Sequence, residues 1–148
     1  MRAVVTRVQS ASVEIDGRVH GAIGQGLLVL LGVHREDTEA EARKIADKIC
    51  GLRIFEDAEG RINVNPVNAG AAEVLIISQF TLFADCRSRR PGFSLAARPE
   101  TAVPLYELVI SECRARGFRV ETGVFGAKML VNSENEGPFT ILLDTKEL

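Results

Sequence analysis

The unbroken apolar run from Leu27 to Val33 constrains the fold more than any other segment of the chain. It offers no polar face to solvent, which is typical of a central strand buried on both sides. The preceding segments predict its neighbours. Residues 2–9 are rich in β-forming residues, Ser12–Ile15 alternates polar with apolar side chains, and Asp16-Gly17 predicts a type I′ hairpin turn. The N-terminal third is therefore expected to be consecutive strands.

A first helix is predicted from about Thr38 to Cys50, because Thr38 and Glu41 have the spacing of a capping box and Gly51 is a natural residue just after a helix. Its buried stripe follows the helical period: Ala42, Ile45, Ala46 and Ile49.

A second helix is predicted between roughly Thr101 and Arg116, with Gly117 ending it. A start at residues 100–102, rather than at Pro99, keeps Pro104 in the first turn, where proline costs no hydrogen bond. The expected inner face is Leu105, Leu108, Val109 and Cys113. Residues 118–124, 127–133 and 139–145 are expected to close the chain as strands.

These elements predict one domain over residues 1–148, with no linker, repeat or low-complexity tract. The expected fold class is mixed α/β. A strand-dominated body, resembling a β-barrel or sandwich, should carry two main helices packed outside it.

Two short polar motifs interrupt this apolar background. Ser78-Gln79-Phe80-Thr81-Leu82 follows the apolar run at residues 74–77, and Asn135-Glu136-Gly137-Pro138-Phe139-Thr140 leads into the apolar run at residues 141–143. Burying a neutral polar side chain without a partner costs roughly 1–3 kcal/mol. Proline at the mouth of a strand is also unusual, because it cannot donate to the ladder. Together the motifs predict a functional site.

The residues alone leave the chemistry of this site open. Thr81 is the first nucleophile candidate and Ser78 the second, but no activating base is evident. The alternative is that Thr81 is a β-branched strand residue and Ser78 a hydrogen-bonded core hydroxyl. In a regular strand, Gln79 and Thr81 would share one face while Ser78 and Phe80 share the other. His20 and His34 have no ligand neighbours at metal-binding spacing, so no metal site is expected.

The charge and the composition indicate which classes of binding partner and which cellular compartment to expect. The net charge of −2 does not indicate that the protein as a whole binds nucleic acid. A loop with four arginines is either simply solvated or binds phosphate groups: Arg87, Arg89, Arg90 and Arg98. Three widely spaced cysteines argue against a disulfide framework and favour a cytoplasmic location. Neither a membrane-spanning run nor a signal peptide is recognisable.

The chain resembles the D-aminoacyl-tRNA deacylases, editing enzymes that remove D-amino acids from tRNA. The resemblance extends over the whole chain and rests on six blocks in order: Arg7-Val8 with Ala11-Ser12-Val13; Gly26 to Val33; Arg53-Ile54-Phe55 with Asp57-Ala58-Glu59-Gly60; Gln79-Phe80-Thr81-Leu82; Arg90-Pro91-Gly92-Phe93-Ser94; and Gly137-Pro138-Phe139-Thr140. Gly92 departs from the family, which has serine there, and this puts the role of the arginine loop in doubt.

The resemblance implies a homodimer in which Gly137-Pro138, with a cis peptide bond, enters the partner's active site and excludes L side chains. Esters of many different D-amino acids would be hydrolysed, and glycyl esters would be hydrolysed as well, because glycine has no side chain to exclude. The resemblance also implies catalysis by the 2′-hydroxyl of the terminal adenosine and by backbone N–H donors at Phe80 and Thr81, with the Thr81 hydroxyl dispensable. Gln79 and Ser78 would orient the adenosine or brace the strand, and Phe80 would pack against the adenine base.

The remaining expectations rest partly on the resemblance and partly on the residues themselves. Five further residues are expected to bind substrate: Asn135, Phe139, Thr140, Arg90 and Phe93. No cofactor, metal, DNA or membrane partner is expected. The competing hypotheses are a non-catalytic RNA-binding module that uses the Arg87–Arg98 loop, and a structural barrel without tRNA affinity. A related L-alanine editor is disfavoured, because it has proline and alanine where this chain has Ser78 and Phe80.

Overall fold

The computed structural model describes residues 1–148. Eight strands form: β1 Arg2–Ile15, β2 Arg18–Ile23, β3 Gly26–Gly32, β4 Phe55–Glu56, β5 Ile62–Val64, β6 Glu73–Ser78, β7 Arg119–Thr122 and β8 Leu130–Asp144. Two α-helices, α1 Glu39–Gly51 and α2 Pro99–Ala115, and a short 3-10 helix, Phe80–Phe83, complete the chain. No helix is long and apolar enough to cross a membrane.

The main sheet has the strand order β2-β1-β3-β6-β7, and β8 pairs with the long strand β1. β1 runs antiparallel to β2, β3 and β8, whereas β3, β6 and β7 are parallel neighbours. Parallel strands require crossover connections, and α1 and α2 lie in the two crossovers. The predicted central strand is therefore β3, with an antiparallel neighbour on one side and a parallel neighbour on the other.

β2 and β3 pair with β1 in one continuous register, so β2 extends β3 and lies beside β6 and β7. The backbone N–H of Gly24, just after β2, donates to Glu73 Oε2 at the start of β6 over 2.7 Å. A Cβ added to Gly21 would lie 3.0 Å from the Thr122 carbonyl oxygen of β7. The body is a nearly closed, barrel-like sheet that carries two helices, and the predicted fold class is confirmed.

The two faces of the sheet bury separate apolar clusters, as alternation along the strands requires. One cluster joins the sheet to both helices and includes Val5, Val29, Ile76, Ile45 and Val109. The other lies inside the curl of the sheet and includes Val8, Val13, Leu28, Leu75 and Ile77. Both faces of β3 and β6 are consequently buried, which explains their unbroken apolar sequences.

Local signals account for α1. Thr38 is the N-cap and forms the predicted capping box with Glu41. The predicted stripe is buried in full, although Gly51 is the last helical residue rather than the one that follows it.

The predicted start of α2 is wrong, because the helix begins at Pro99 with Arg98 as its N-cap. Proline suits the first helical position, where its missing N–H has no intrahelical partner and its fixed φ is already helical. Pro104 then falls within the helix, on its exposed side. Gly117, with φ of +90°, ends the helix as predicted, and the Phe118 N–H donates to the Cys113 carbonyl.

Both polar motifs differ from their predicted local structure. β6 ends at Ser78 and Phe80 begins the 3-10 helix, so the face-sharing expected of a regular strand is wrong. The two final strands predicted at 127–133 and 139–145 are one strand, β8, whose pairing with β1 continues past the second motif. Gly137-Pro138 therefore lies inside a strand rather than at its mouth.

Candidate active site

A cleft of about 290 Å³ opens where the parallel strands β3 and β6 end. The carboxyl ends of parallel strands are a common place for ligand sites, and this volume is near the lower end for such pockets. Eleven of its fourteen lining residues are hydrophobic: Leu31, Val33, Ile77, Phe80, Ala97, Ala102, Tyr106, Phe125, Ala127, Met129 and Val131. The other three are Ser78, Gln79 and Gly126.

The first motif forms one wall of this cleft. The Gln79 N–H donates to the Leu31 carbonyl over 2.8 Å, the last backbone bond that ties the motif to β3. The chain then turns into the 3-10 helix, and the Gln79 side-chain amide donates to the Thr81 hydroxyl. Phe80 and Thr81 are the first two residues of this helix, so their N–H groups have no intrahelical acceptor, and no side chain caps them. Two adjacent backbone donors are therefore free beside the cleft.

Tyr106 of α2 fixes the strand that carries the motif. Its hydroxyl donates to the Ile76 carbonyl over 2.7 Å, and its ring lies edge-on to Phe125 at 6.2 Å. Burial raises the pKa of Tyr106 to about 12, so the phenol stays protonated at neutral pH. No carboxylate, imidazole, thiol or amine lines the cleft. The cleft thus offers a substrate hydrogen-bond donors and apolar walls, but no side-chain base.

Phe93, which lies between Arg90 and Arg98, also contributes to the site. Its ring packs against that of Phe80 with centroids 5.0 Å apart and planes inclined by 70°. Both rings are exposed, Phe80 by 54% and Phe93 by 39%. They form an aromatic lip at the opening of the cleft.

The second motif forms a bulge on β8. Thr140 pairs with Thr6 of β1 and Asn135 with Val8, so four residues of β8 oppose the single residue Arg7. Gly137 and Pro138 lie at the centre of this bulge, are exposed, and are joined by a cis peptide bond. A Cβ added to Gly137 would meet no atom within 4 Å. The bulge therefore presents bare backbone to the surroundings.

A buried arginine supports the bulge from below. Arg7 is 5% exposed, its Nη1 donates to the Ile54 carbonyl over 2.7 Å, and its guanidinium lies 4.4 Å from the ring centroid of Phe139. Its Nε is 3.5 Å from Glu136 Oε2, and neither of these two buried atoms has a hydrogen bond. A small cavity of about 170 Å³ lies beside the pair.

The predicted site residues thus fall into two groups within one chain. Ser78, Gln79 and Phe80 line the cleft, Thr81 is hydrogen-bonded next to it, and Phe93 stands at its lip. The others lie elsewhere: Gly137, Pro138, Asn135, Phe139 and Thr140 on β8, and Arg90 in the exposed arginine loop.

Sequence reasoning missed three residues. Tyr106 and Met129 line the cleft from distant segments, and no local pattern singled them out. Arg7 carried a signal that could have been used, because a charge within the apolar run of β1 needs a buried partner.

The fold and the cleft define a mixed α/β protein with a neutral, largely apolar ligand site at the carboxyl ends of parallel strands. The model of one family, D-Tyr-tRNA(Tyr) deacylase, matches residues 4–144. The chain belongs to this family of hydrolases.

Curated relatives are similar over their whole length. D-aminoacyl-tRNA deacylase of Anaeromyxobacter dehalogenans is 57% identical, covering 100% of this chain and 99% of the relative. The protein of the same name from Koribacter versatilis is 55% identical, covering 99% of each.

Solved structures agree with the fold. A c-Myc DNA Unwinding Element Binding Protein superposes with a TM-score of 0.90 at 39% identity, covering 97% of this chain and 98% of that one. A probable eukaryotic D-amino acid tRNA deacylase superposes with a TM-score of 0.81 at 18% identity, covering 96% and 97%. The second likeness concerns the fold alone.

Proposed function

We propose that this protein hydrolyses the ester bond of D-aminoacyl-tRNA and releases the free D-amino acid and tRNA. The observation that carries the proposal is the pair of unpaired N–H groups at Phe80 and Thr81, beside a cleft without a side-chain base, in a chain of the deacylase family. Such donors stabilise the oxyanion of an acyl-transfer intermediate, and removal of one typically costs about 2.7–4 kcal/mol.

The substrate supplies the missing acid–base group in this proposal. Water attacks the ester carbonyl carbon, the Phe80 and Thr81 N–H groups hold the developing oxyanion, and the bond to the 3′-oxygen breaks as that oxygen gains a proton. The neighbouring 2′-hydroxyl of the terminal adenosine orients the water and relays the proton. RNA rather than DNA is the substrate, since only RNA carries that hydroxyl.

The cleft of one subunit is completed by the bulge of a second in a homodimer. Two observations support this. Gly137 and Pro138 are exposed and do not line their own cleft. The same strand also exposes two large apolar side chains, Leu130 at 64% and Leu142 at 67%.

Chiral selectivity follows from rejection rather than from a side-chain pocket. Bare backbone at Gly137 and Pro138 would lie against the α-carbon of the aminoacyl group and exclude an L side chain, whereas a D side chain points away. Many D-amino acids would then be substrates, and glycine on a non-cognate tRNA would also be hydrolysed, because it has no side chain to exclude.

The other site residues have supporting roles in this proposal. Phe80 packs against the terminal adenine, as aromatic rings do with unstacked bases, while Ser78 and Gln79 orient the adenosine. Asn135, Phe139 and Thr140, which lie in or beside the bulge, bind the substrate that the bulge faces. We place the reaction in the cytoplasm, consistent with three free cysteines.

The direct test is hydrolysis of matched D-Tyr-tRNA and L-Tyr-tRNA by the purified protein with EDTA present. We expect rapid loss of the D ester and none of the L ester. A protein that binds tRNA without turnover, with affinity falling steeply as salt rises, would instead be the RNA-binding module. Absence of both turnover and binding would leave only a structural role.

Thr81→Val is expected to keep activity within about tenfold of wild type, because the proposed donor is the backbone N–H and the side-chain shape is preserved. Single-turnover rates on D-Tyr-tRNA measure this. The comparison substrate is the same D-Tyr-tRNA with a terminal 2′-deoxyadenosine. The wild-type rate on it should be at least a hundredfold lower than on unmodified D-Tyr-tRNA.

The opposite pattern would contradict the mechanism. Near-total loss with Thr81→Val, together with full activity on the deoxy substrate, would make the Thr81 hydroxyl the nucleophile.

A further inference from the structure

A short arginine-bearing loop stands next to the aromatic lip of the cleft. We call residues 85–92 the arginine hairpin, because Asp85 and Gly92 close it with two backbone hydrogen bonds of 2.8 and 2.9 Å. Within it the Ser88 hydroxyl donates to the Arg90 carbonyl over 2.6 Å. Residues 86–95 are all exposed, so the hairpin presents its side chains to solvent.

The charge of this hairpin is not neutralised by the rest of the protein. Arg87 is paired with Asp85, whose pKa that arginine lowers to about 2. Arg89, Arg90 and the following Arg98 have no carboxylate within 4.0 Å. Residues 85–98 hold four arginines and one aspartate, a net charge of +3, while the whole chain has −2, so the remainder has −5. The arginines therefore form a local basic patch on an acidic protein.

The patch is connected to the cleft by the chain itself. Phe93 follows Gly92 directly and contacts Phe80, which lines the cleft. An exposed aromatic ring beside unpaired arginines is the combination that single-stranded nucleic acid uses, with bases stacking on rings and phosphates bound by guanidinium groups. The cleft itself has room for about one nucleoside, so the nucleotides before it lie outside the cleft, and the lip with Phe93 borders its opening.

We propose that the arginine hairpin and Phe93 bind the RNA strand just upstream of the ester-bearing nucleotide, Arg89 and Arg90 on its phosphates and Phe93 on the penultimate base. This inference rests on the proposed function and names the surface that holds the RNA beyond the terminal nucleoside. Gly92 closes the hairpin through its backbone N–H and carbonyl, so this role needs no side chain at position 92.

The test compares two substrates that share one ester, full-length D-Tyr-tRNA and D-tyrosyl-adenosine. The double variant Arg89→Gln/Arg90→Gln should lose at least tenfold in kcat/KM on the tRNA but change less than twofold on the nucleoside ester. The slope of log(kcat/KM) against log[salt] on tRNA should become shallower by about 2, close to one per lost phosphate contact. Phe93→Ser should lose at least tenfold on tRNA and less on the nucleoside ester, where the variant only removes the packing of Phe93 against Phe80.

The matched control is Arg18→Gln/Arg61→Gln, which makes the same change in net charge at two exposed arginines outside the patch. It should leave the tRNA rate and the salt slope near wild type. Equal losses on both substrates would overturn the inference, because the hairpin would then only shape the cleft. Unchanged activity on tRNA would overturn it as well. If the wild type hydrolyses neither substrate, the proposed function itself has failed.

Discussion

Gly137→Ala is expected to lower kcat/KM on D-Tyr-tRNA about a hundredfold while leaving the fold unchanged. The added Cβ meets nothing within 4 Å in its own chain, so the monomer has no reason to unfold. In the proposed dimer the same methyl group enters the partner's cleft and displaces the aminoacyl group, and a displacement of about 1 Å can cost that much. The measurement is single-turnover hydrolysis, with thermal unfolding to verify the fold.

Mixing variants tests the cross-subunit part of this expectation. Ala127→Trp fills the cleft from its half-exposed wall and should inactivate it, leaving the bulge intact. Each mixed dimer of the two variants then has one intact cleft facing one intact bulge. Random pairing at equal amounts should therefore restore about a quarter of wild-type activity. Mixed dimers without recovered activity, or a fully active Gly137→Ala, would refute the arrangement.

Gly26→Ala should destabilise the protein by about 3 kcal/mol or more, a large part of the 5–15 kcal/mol that holds a domain together. A Cβ on Gly26 would lie 2.1 Å from the Glu73 carbonyl oxygen and 2.8 Å from its carbonyl carbon. These are backbone atoms, so no side chain can rotate away. Relief requires β3 and β6 to separate at the pairing next to Leu27 and Val74.

Urea unfolding measures the effect, and Gly51→Ala is the matched control. That glycine ends α1 with nothing within 4 Å of an added Cβ, so the same methyl group there should be neutral or stabilise by up to about 1 kcal/mol. A Gly26→Ala midpoint equal to that of the control would mean that the two strands tolerate a wider spacing than the structure has.

Elements governed by neighbouring residues were predictable. The capping box at Thr38 and Glu41 and the stripe of α1 follow from spacings within one helix. The hairpin at Asp16-Gly17 likewise follows from two residues that accept positive φ, observed at 52° and 75°.

Elements whose ends depend on distant partners could not be predicted from the sequence. β6 ends at Ser78, the Gln79 N–H makes the last backbone bond to β3 at Leu31, and the chain then turns into the 3-10 helix that packs at the end of β3. β8 continues through Gly137-Pro138 because its pairing with β1, interrupted after Asn135, is restored at Thr140. Glycine followed by proline indicates a break when the partner strand is unknown.

The same reasoning applies to the site. The residues of the first motif that line the cleft were predicted, since they are consecutive. Tyr106 and Met129 reach the cleft only through the packing of α2 and the segment before β8, which no spacing along the chain encodes.

The bulge on β8 also affects how the protein avoids aggregation. β8 is fifteen residues long and pairs only with β1, so its other edge has open backbone groups to which a foreign strand could add. The bulge interrupts that edge between Asn135 and Thr140, and Pro138 lacks an N–H to donate there. An incoming strand would find two short stretches in place of one long template. The feature proposed to select substrates would thus also oppose the growth of open-ended sheets.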